Sequence, residues 1–267
     1  MRPTVPLLKA WKFQTVEWNP KVSRIKSQLN ATHFVLPDLP AVYSPSDRDH
    51  YFSEIPPSQR IVAVATCRQS PETLRDKYCR NSNNEEVKHQ IDKLLLVGGN
   101  EKTPESLSVV EAASIFKEQQ ATTTLWGVTN PNDPKSIERV ERKIAAGITG
   151  FLTQPFLSSN AIDIFEAYPR QQHDGNITYI AGLAMPKTAR SLQFWCDLLE
   201  QPELRQDPLF KAHLAFFSAQ PHYSSYQWIG KEMVTLATCT TMDGIHFMPL
   251  TNTEDLVALF QLPALKN

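Results

Sequence analysis

The stretch TTTLWGVTNPNDPKSIERVERKIAAGITGFLTQ (residues 122–154) contains a complete strand–helix–strand unit. Thr122–Val128 is a short run rich in β-branched and apolar residues, and the Asn- and Pro-rich loop 129–134 follows it. Apolar residues then recur at helical spacing through Ser136–Ala146, with charged residues on the opposite face. Gly150–Thr153 starts the next apolar run. Two strands joined through a helix are typical of a parallel sheet.

The same alternation extends towards both ends of the chain. The other predicted strands are Phe13–Trp18, His33–Leu36, Arg60–Thr66, Lys93–Val97, Ile177–Leu183 and Gly244–Met248. The other predicted helices are Pro20–Leu29, Pro45–Glu54, Glu85–Gln90, Ser106–Gln120, Ala161–Tyr168, Ala189–Glu200, Leu209–Phe217, Gln227–Cys239 and Thr253–Phe260, the last capped by Thr251 or Asn252. The polar segment Cys67–Asn84 is predicted to be a loop.

Eight strands, each followed by a helix, predict a (β/α)8 TIM barrel that forms a single domain over residues 1–267. A doubly wound open sheet is the alternative, because alternation alone does not show that a sheet closes.

Composition and charge narrow the class of function. The chain has 27 Lys and Arg against 28 Asp and Glu, so it carries no basic excess for binding nucleic acid or an anionic membrane. Its four cysteines form no CxxC pair, and the cysteines and histidines do not have the spacing of zinc ligands. This pattern predicts free thiols in a reducing cytoplasm and no bound metal. No apolar run reaches the length of a membrane helix. We therefore expect a cytoplasmic enzyme that acts on a small molecule.

In a (β/α)8 barrel, side chains that do chemistry lie where strands end and the following loops begin. The positions that meet this rule are Glu17, Asp38, Thr66-Cys67, Gly98-Gly99-Asn100, Thr129-Asn130, Gln154, Ala184-Met185 and His246. Glu17 ends an apolar strand, which suits either a general acid with a raised pKa or a carboxylate paired with a base. Gln154 suits either contact with the edge of a heterocycle or a structural role in its loop.

Each of the other candidate residues can be explained by a structural role as well as by ligand binding. Gly98-Gly99 allows close approach of the backbone to a ligand, or simply forms a tight turn. Arg142 and Lys143 lie on a helix whose charged face is expected in solvent, unless a phosphate-bearing ligand crosses it. His246 is either a ligand contact or a hydrogen-bonded histidine of the core.

Five short stretches together resemble one family. KIAAGITGFLTQPF (residues 143–156) is similar to the RKxxAGAxxxxTQxFF stretch of methylenetetrahydrofolate reductases. In the same order, residues 16–20 (VEWNP), 65–68 (ATCR) and 243–247 (DGIHF) resemble the family's E-x-x-P, LTCR and GxHFYTLN motifs, and residues 179–186 resemble its PGIxP stretch. The resemblance extends from Phe13 to Leu256.

The resemblance implies a barrel that holds FAD and passes hydride from NAD(P)H to 5,10-methylenetetrahydrofolate, within one-carbon metabolism and methionine biosynthesis. It makes Glu17 the general acid that protonates the folate N10. The substrate-binding residues it implies are Gln154, which contacts the pterin, Asp38, Phe156 and His246. The cofactor-binding residues it implies are Thr66, Gly98, Gly99, Asn100, Asn130, Arg142 and Lys143, the last two near the flavin phosphates.

The sequence departs from the family on the flavin side. Gly99 and Asn100 stand where the family has an aspartate by the flavin, and Thr253 stands where it has an arginine. FMN, or no flavin at all, therefore remains open beside FAD. So do two alternatives: a flavin-independent or methyl-transferring C1-folate enzyme, and a catalytically silent folate-binding or assembly relative. A homo-oligomer is compatible with this sequence.

Overall fold

The structure is a computed structural model. It describes residues 11–38, 44–79, 91–99, 106–119, 121, 123–172, 175–219, 228–229, 232, 235–236, 239, 242–249 and 252–260. The predicted helix Glu85–Gln90, the candidate Asn100 and the candidate cap Thr251 lie outside these residues, as does much of the predicted helix Gln227–Cys239, which is helical at 228–229, 232 and 235–236.

Eight parallel strands close into a barrel in the order β1-β10-β9-β6-β5-β4-β3-β2. They are β1 (Phe13–Glu17), β2 (His33–Leu36), β3 (Arg60–Ala65), β4 (Lys93–Val97), β5 (Thr124–Thr129), β6 (Gly150–Pro155), β9 (Thr178–Ala184) and β10 (Gly244–Met248), with the short pair β7 (Gln171–Gln172) and β8 (Gly175–Asn176) inserted before β9. Because β1 pairs with both β2 and β10, the sheet has no edge, and the open-sheet alternative is excluded. The predicted (β/α)8 barrel is confirmed.

Helices follow each barrel strand. They are α1 (Pro20–Ile25), α2 (Pro45–Glu54), α3 (Pro71–Leu74), α4 (Val109–Glu118), α5 (Ser136–Ala145), α6 (Ala161–Glu166), α7 (Ala189–Leu198), α8 (Pro208–Ala219) and α9 (Thr253–Phe260). None of the helices in the described ranges is both long and apolar enough to cross a membrane.

Capping side chains set several helix starts. α4 begins at Val109, later than predicted, because Ser108 caps it: its hydroxyl accepts from the Glu111 backbone N–H, and the Glu111 carboxylate accepts from the Ser108 backbone N–H. Asn19 accepts hydrogen bonds from two backbone N–H groups at the start of α1. At the start of α9, Asn252 Oδ1 accepts from the backbone N–H of Asp255 at 3.4 Å, so Asn252 acts as the cap.

The prediction of a loop over Cys67–Asn84 was wrong within the part that the structure describes. A helical turn at Thr66–Arg68 leads to α3, which continues as a wider π-helical turn to Cys79. The start signals are local, since Ser70 caps the helix and Pro71 occupies its first position. The hairpin of β7 and β8 was also absent from the predicted elements.

Two apolar clusters divide the core. The inner cluster consists only of strand residues, namely Val35, Ile61, Ala63, Leu95, Trp126, Leu152 and Ile180, with Phe13, Val97 and Val128 packed against it. The outer cluster joins strands to helices. Gly150 makes room for the largest inner side chain, because a Cβ atom there would lie 2.6 Å from the Trp126 ring. The barrel is therefore filled with side chains at its centre, as (β/α)8 barrels usually are.

Candidate active site at the carboxyl end of the barrel

The carboxyl ends of all eight barrel strands meet at one end of the molecule, which is where barrel enzymes carry their chemistry. Glu17 is the last residue of β1, and Gln154 is the last but one of β6. Glu17 pairs in register with Val35, a member of the inner cluster. Paired residues of neighbouring parallel strands point to the same face, so the Glu17 side chain lies on the inner side of β1.

Glu17 carries a carboxyl group in a poorly hydrated position. The residue is partly buried, and desolvation raises the pKa of its carboxyl from the usual 4.5 to about 7. Among the described residues, its side chain makes no hydrogen bond or ion pair, so the alternative of a paired carboxylate has no support there. A carboxyl group with this pKa holds comparable amounts of acid and base near neutral pH, as a proton donor should.

Gln154 lies in a distorted part of β6. The register with β9 shifts between Leu152 and Pro155, which marks a β-bulge around Thr153 and Gln154. Bulges of this kind redirect side chains at barrel rims. Thr153 Oγ1 accepts a hydrogen bond from the backbone N–H of Gly182 at 2.8 Å, which fastens the bulge to β9. The Gln154 amide itself makes no hydrogen bond within the described residues, so it is available to a ligand.

Asn132 is a residue of this end that the sequence analysis missed. It is 8% exposed, and its Nδ2 donates to the Pro155 carbonyl at 2.8 Å. The candidate Asn130 takes part in the same network, because its Oδ1 accepts from both the backbone N–H and Nδ2 of Asn132. Asn130 therefore shapes the loop, and its side-chain oxygen is already engaged. The only sequence signal is the Asn-Pro-Asn-Asp run after β5.

Thr66, directly after β3, is fully buried, and its hydroxyl has no hydrogen-bond partner in the described structure. A buried hydroxyl without a partner is unfavourable unless a ligand or water satisfies it. Thr66, one of the predicted flavin-side residues, therefore carries a buried hydroxyl that a ligand could satisfy.

Asp38 is committed to contacts within the protein. Its Oδ2 accepts from the backbone N–H of Ala65 at 2.7 Å, and its Oδ1 lies 3.0 Å from Nη2 of Arg68. The carboxylate thus joins the end of β2 to the end of β3.

Gly98 and Gly99 form the turn after β4. Gly99 has a φ of +110°, and a Cβ atom built there would lie 2.4 Å from Sγ of Cys67. The missing side chain therefore accommodates Cys67, which favours the tight-turn reading over close approach to a ligand. At Gly98, a Cβ atom would meet nothing within 4 Å.

Arg142 and Lys143 point in different directions from α5. The Arg142 side chain is 61% exposed and lies 3.9 Å from the Glu138 carboxylate on the same helix. Lys143 Nζ donates to the Val128 carbonyl at 2.6 Å. Burial, followed by the nearby Arg139 and Arg142 charges, lowers the pKa of Lys143 to about 8. The structure does not bring these two cations together as a phosphate site.

The side chains of His246 and Phe156 are buried in the protein. His246 is 4% exposed, and its Nδ1 lies 2.8 Å from Oγ1 of Thr15. Burial lowers the pKa of His246 to about 3, so the imidazole is neutral. Phe156 is buried against Phe165 of α6, with ring centroids 5.4 Å apart. His246 is thus a hydrogen-bonded core residue, and Phe156 belongs to the outer cluster.

The carboxyl end therefore gathers Glu17, Gln154, Thr66, Asp38, Asn130, Gly98 and Gly99 from six different strand ends. Of these, Glu17, Gln154 and Thr66 make no side-chain hydrogen bond within the described structure, whereas the Asp38 carboxylate and the side-chain oxygen of Asn130 are engaged. Within the same residues, no group of three or more His, Cys, Asp or Glu side chains is placed to hold a metal ion.

Comparison with known proteins gives similarity at the level of the fold. No family model matches the sequence, and no curated protein matches it. The structure is similar to an uncharacterized protein from Clostridium thermocellum that binds two copies of 5-methyl-5,6,7,8-tetrahydrofolic acid, with 15% identity, 93% of each chain covered and a TM-score of 0.60.

Two enzymes share the same architecture at lower similarity. Oxaloacetate acetylhydrolase is 13% identical over 95% of this chain and 81% of that chain, with a TM-score of 0.50. The 2,3-dimethylmalate lyase, a member of the PEP mutase/isocitrate lyase superfamily, is 10% identical over 94% of this chain and 80% of that chain, with a TM-score of 0.51. These comparisons support the TIM-barrel fold.

Proposed function

We propose that this chain binds a reduced folate at the carboxyl end of its barrel, and that Glu17 donates a proton to a nitrogen atom of that folate. The observation that carries the proposal is Glu17 itself, a rim carboxyl without a partner in the described structure and with a pKa raised to about 7. The fold similarity to a protein that binds 5-methyltetrahydrofolate supports the same class of ligand.

The chemistry of reduced folates suits the side chains of Glu17 and Gln154. Opening the five-membered ring of a methylene-bridged folate breaks a carbon–nitrogen bond, and nitrogen is a poor leaving group unless it is protonated. Protonated Glu17 can supply that proton near neutral pH, and the resulting carboxylate can take a proton back in the reverse direction. The Gln154 amide can donate to and accept from the edge of the pterin at the same time.

A flavin fits the described residues less well than a folate does. Gly99 has no room for the aspartate that the family places by the flavin, and Arg142 and Lys143 form no joint phosphate site. Asn130 is engaged by Asn132. We therefore assign no step of the reaction to a flavin, and we propose a flavin-independent C1-folate enzyme as the first candidate.

Flavin-dependent reduction of 5,10-methylenetetrahydrofolate by NAD(P)H is the second candidate, because the buried Thr66 hydroxyl lacks a partner at the position that the family places beside its flavin. A visible absorption spectrum of the purified protein, recorded before and after addition of FAD or FMN and then of NADH without oxygen, separates the two candidates. A bound yellow chromophore that NADH bleaches supports the second candidate. Protein that stays colourless and binds folate supports the first.

Folate binding is tested by isothermal titration calorimetry of the full chain with 5-methyltetrahydrofolate. Gln154→Ala is expected to weaken binding by about tenfold, the effect of losing one or two hydrogen bonds to a ligand. Gln193→Ala, on the exposed face of α7, is the matched control and should bind like the original chain. The absence of binding by the original chain would contradict the proposal. Binding without turnover of any C1-folate would favour a catalytically silent relative.

A further inference from the structure

Asn132 uses its whole side-chain amide to hold the segment that follows Gln154. Its Nδ2 donates to the Pro155 carbonyl at 2.8 Å, and its Oδ1 accepts from the backbone N–H groups of Leu157 at 2.7 Å and Ser158 at 2.9 Å. The second Nδ2 hydrogen bond goes to Asn130 Oδ1 at 2.9 Å, which fixes the orientation of the amide. One buried side chain therefore satisfies three backbone groups of the β6 loop.

The residue that precedes Gln154, Thr153, is also held in place, by contacts with β9. Thr153 accepts from the Gly182 N–H group, and a Cβ atom at Gly182 would lie 2.1 Å from the Thr153 carbonyl oxygen. Only glycine allows β9 to approach the bulge so closely. Gln154 thus lies between two anchored neighbours, Thr153 and Pro155. Since its own side chain has no partner among the described residues, the backbone on either side determines where its amide points.

We infer that Asn132 is a positioning residue for ligand recognition, acting through the bulge to aim the Gln154 amide without touching the ligand. The inference rests on the proposed folate binding. Paired hydrogen bonds to the edge of a heterocycle tolerate little displacement. If Asn132 no longer holds the loop, Gln154 should therefore contribute less to the free energy of folate binding. A purely structural role for Asn132 predicts something different, namely a stability loss that is independent of Gln154.

A double-mutant cycle separates these two roles, because coupled residues give non-additive effects. The dissociation constant of 5-methyltetrahydrofolate would be measured for the full chain and for Asn132→Ala, Gln154→Ala and the double variant, well below their unfolding temperatures. We expect Asn132→Ala to weaken binding by about tenfold, close to the effect of Gln154→Ala. The double variant should bind no more weakly than Gln154→Ala alone.

A second readout distinguishes positioning from general loosening. The pH dependence of binding, which we attribute to Glu17 on β1, should be unchanged in Asn132→Ala, whereas a loosened barrel would shift it. Should Asn132→Ala fail to fold, the same cycle is run with Asn130→Ala, which removes the oxygen that accepts from Nδ2 and from the backbone N–H of Asn132.

The outcomes separate the inference from the proposed function. If Gln154→Ala weakens binding but the effects of the two substitutions multiply, or if Asn132→Ala binds normally, the positioning role is wrong while folate binding stands. If Gln154→Ala binds like the original chain, Gln154 does not contact the ligand, and both the Gln154 assignment and the inference fall.

Discussion

The hydroxyl of Thr15 lies 2.8 Å from Nδ1 of His246, and this contact joins the first strand of the barrel to the last. The two residues are paired in register across β1 and β10, and both are at most 4% exposed. Glu17 follows two positions after Thr15 on the same face of β1. The contact between β1 and β10, which closes the barrel, therefore also supports the strand that carries the proposed proton donor.

Replacing Thr15 by Val should destabilise the protein, because it leaves a buried ring nitrogen of His246 without its partner while the shape hardly changes. We expect a loss of about 1–2 kcal/mol in the free energy of unfolding, measured by urea denaturation. Thr15→Ser retains the hydroxyl and is the control. Equal stability of the Val and Ser variants would show that the contact contributes nothing.

His246 should remain neutral well below neutral pH. Burial lowers its pKa from 6.5 to about 3, so the folded state binds fewer protons than the unfolded state between these values. The stability contributed by the neutral ring is therefore complete above pH 6.5 and is lost as the pH falls towards 3. Nitrogen-15 NMR of the histidine rings should show a neutral His246 imidazole at pH 5. A protonated ring at that pH would contradict its placement.

Ionised Glu17 should lower the stability of the folded chain. Its pKa is raised from 4.5 to about 7, so the stability associated with the protonated carboxyl is complete below pH 4.5 and is lost as the pH rises through 7. Glu17→Gln should therefore be more stable than the original chain at pH 8, by up to about 3 kcal/mol, with little difference at pH 4.5.

The comparison requires urea unfolding curves at both pH values. Glu141→Gln, on the exposed face of α5, is the control and should show no such pH-dependent gain. If Glu17→Gln and Glu141→Gln behave alike, the carboxyl of Glu17 is hydrated rather than desolvated.

Introducing at Gly99 the aspartate that the family motif carries after β4 should destabilise the fold rather than create a flavin site. Gly99→Asp puts a side chain on a backbone with φ of +110° and brings its Cβ atom to 2.4 Å from Cys67 Sγ. A loss of about 1–3 kcal/mol is expected from this overpacking and strain, measured as a lower unfolding midpoint. Gly98→Asp enters open space and should unfold like the original chain. A Gly99→Asp variant that is stable and binds FAD would overturn this account of the turn.

The sequence predicted the barrel well because its strands are short apolar runs between clear turn signals. The bounds of β2, β4, β10, α2 and α9 agree with the predictions. The predictions failed where a helix is only four residues long and lies in a polar segment, as at α3, and where one extra residue distorts a strand, as at the bulge before Pro155.

The roles of the candidate residues were harder to predict, because they depend on partners far away in the chain. Asp38 is committed to Ala65, which lies 27 positions later, and Lys143 to Val128, which lies 15 positions earlier. Asn132 reaches Pro155 across 23 positions. No local pattern reveals whether a polar side chain at a strand end is free for a ligand. A tertiary contact distinguishes Asp38 from Glu17 and Gln154, whereas the side-chain oxygen of Asn130 is engaged by its near neighbour Asn132.

The affinity of the full chain for 5-methyltetrahydrofolate as a function of pH tests the central claim most directly. If protonated Glu17 donates to the folate, affinity should fall as the pH rises through about 7, and Glu17→Gln, which cannot ionise, should bind with no such change. Glu141→Gln should retain the fall. A flat profile for the original chain, or the same fall in Glu17→Gln, would contradict the assignment of Glu17 as the proton donor.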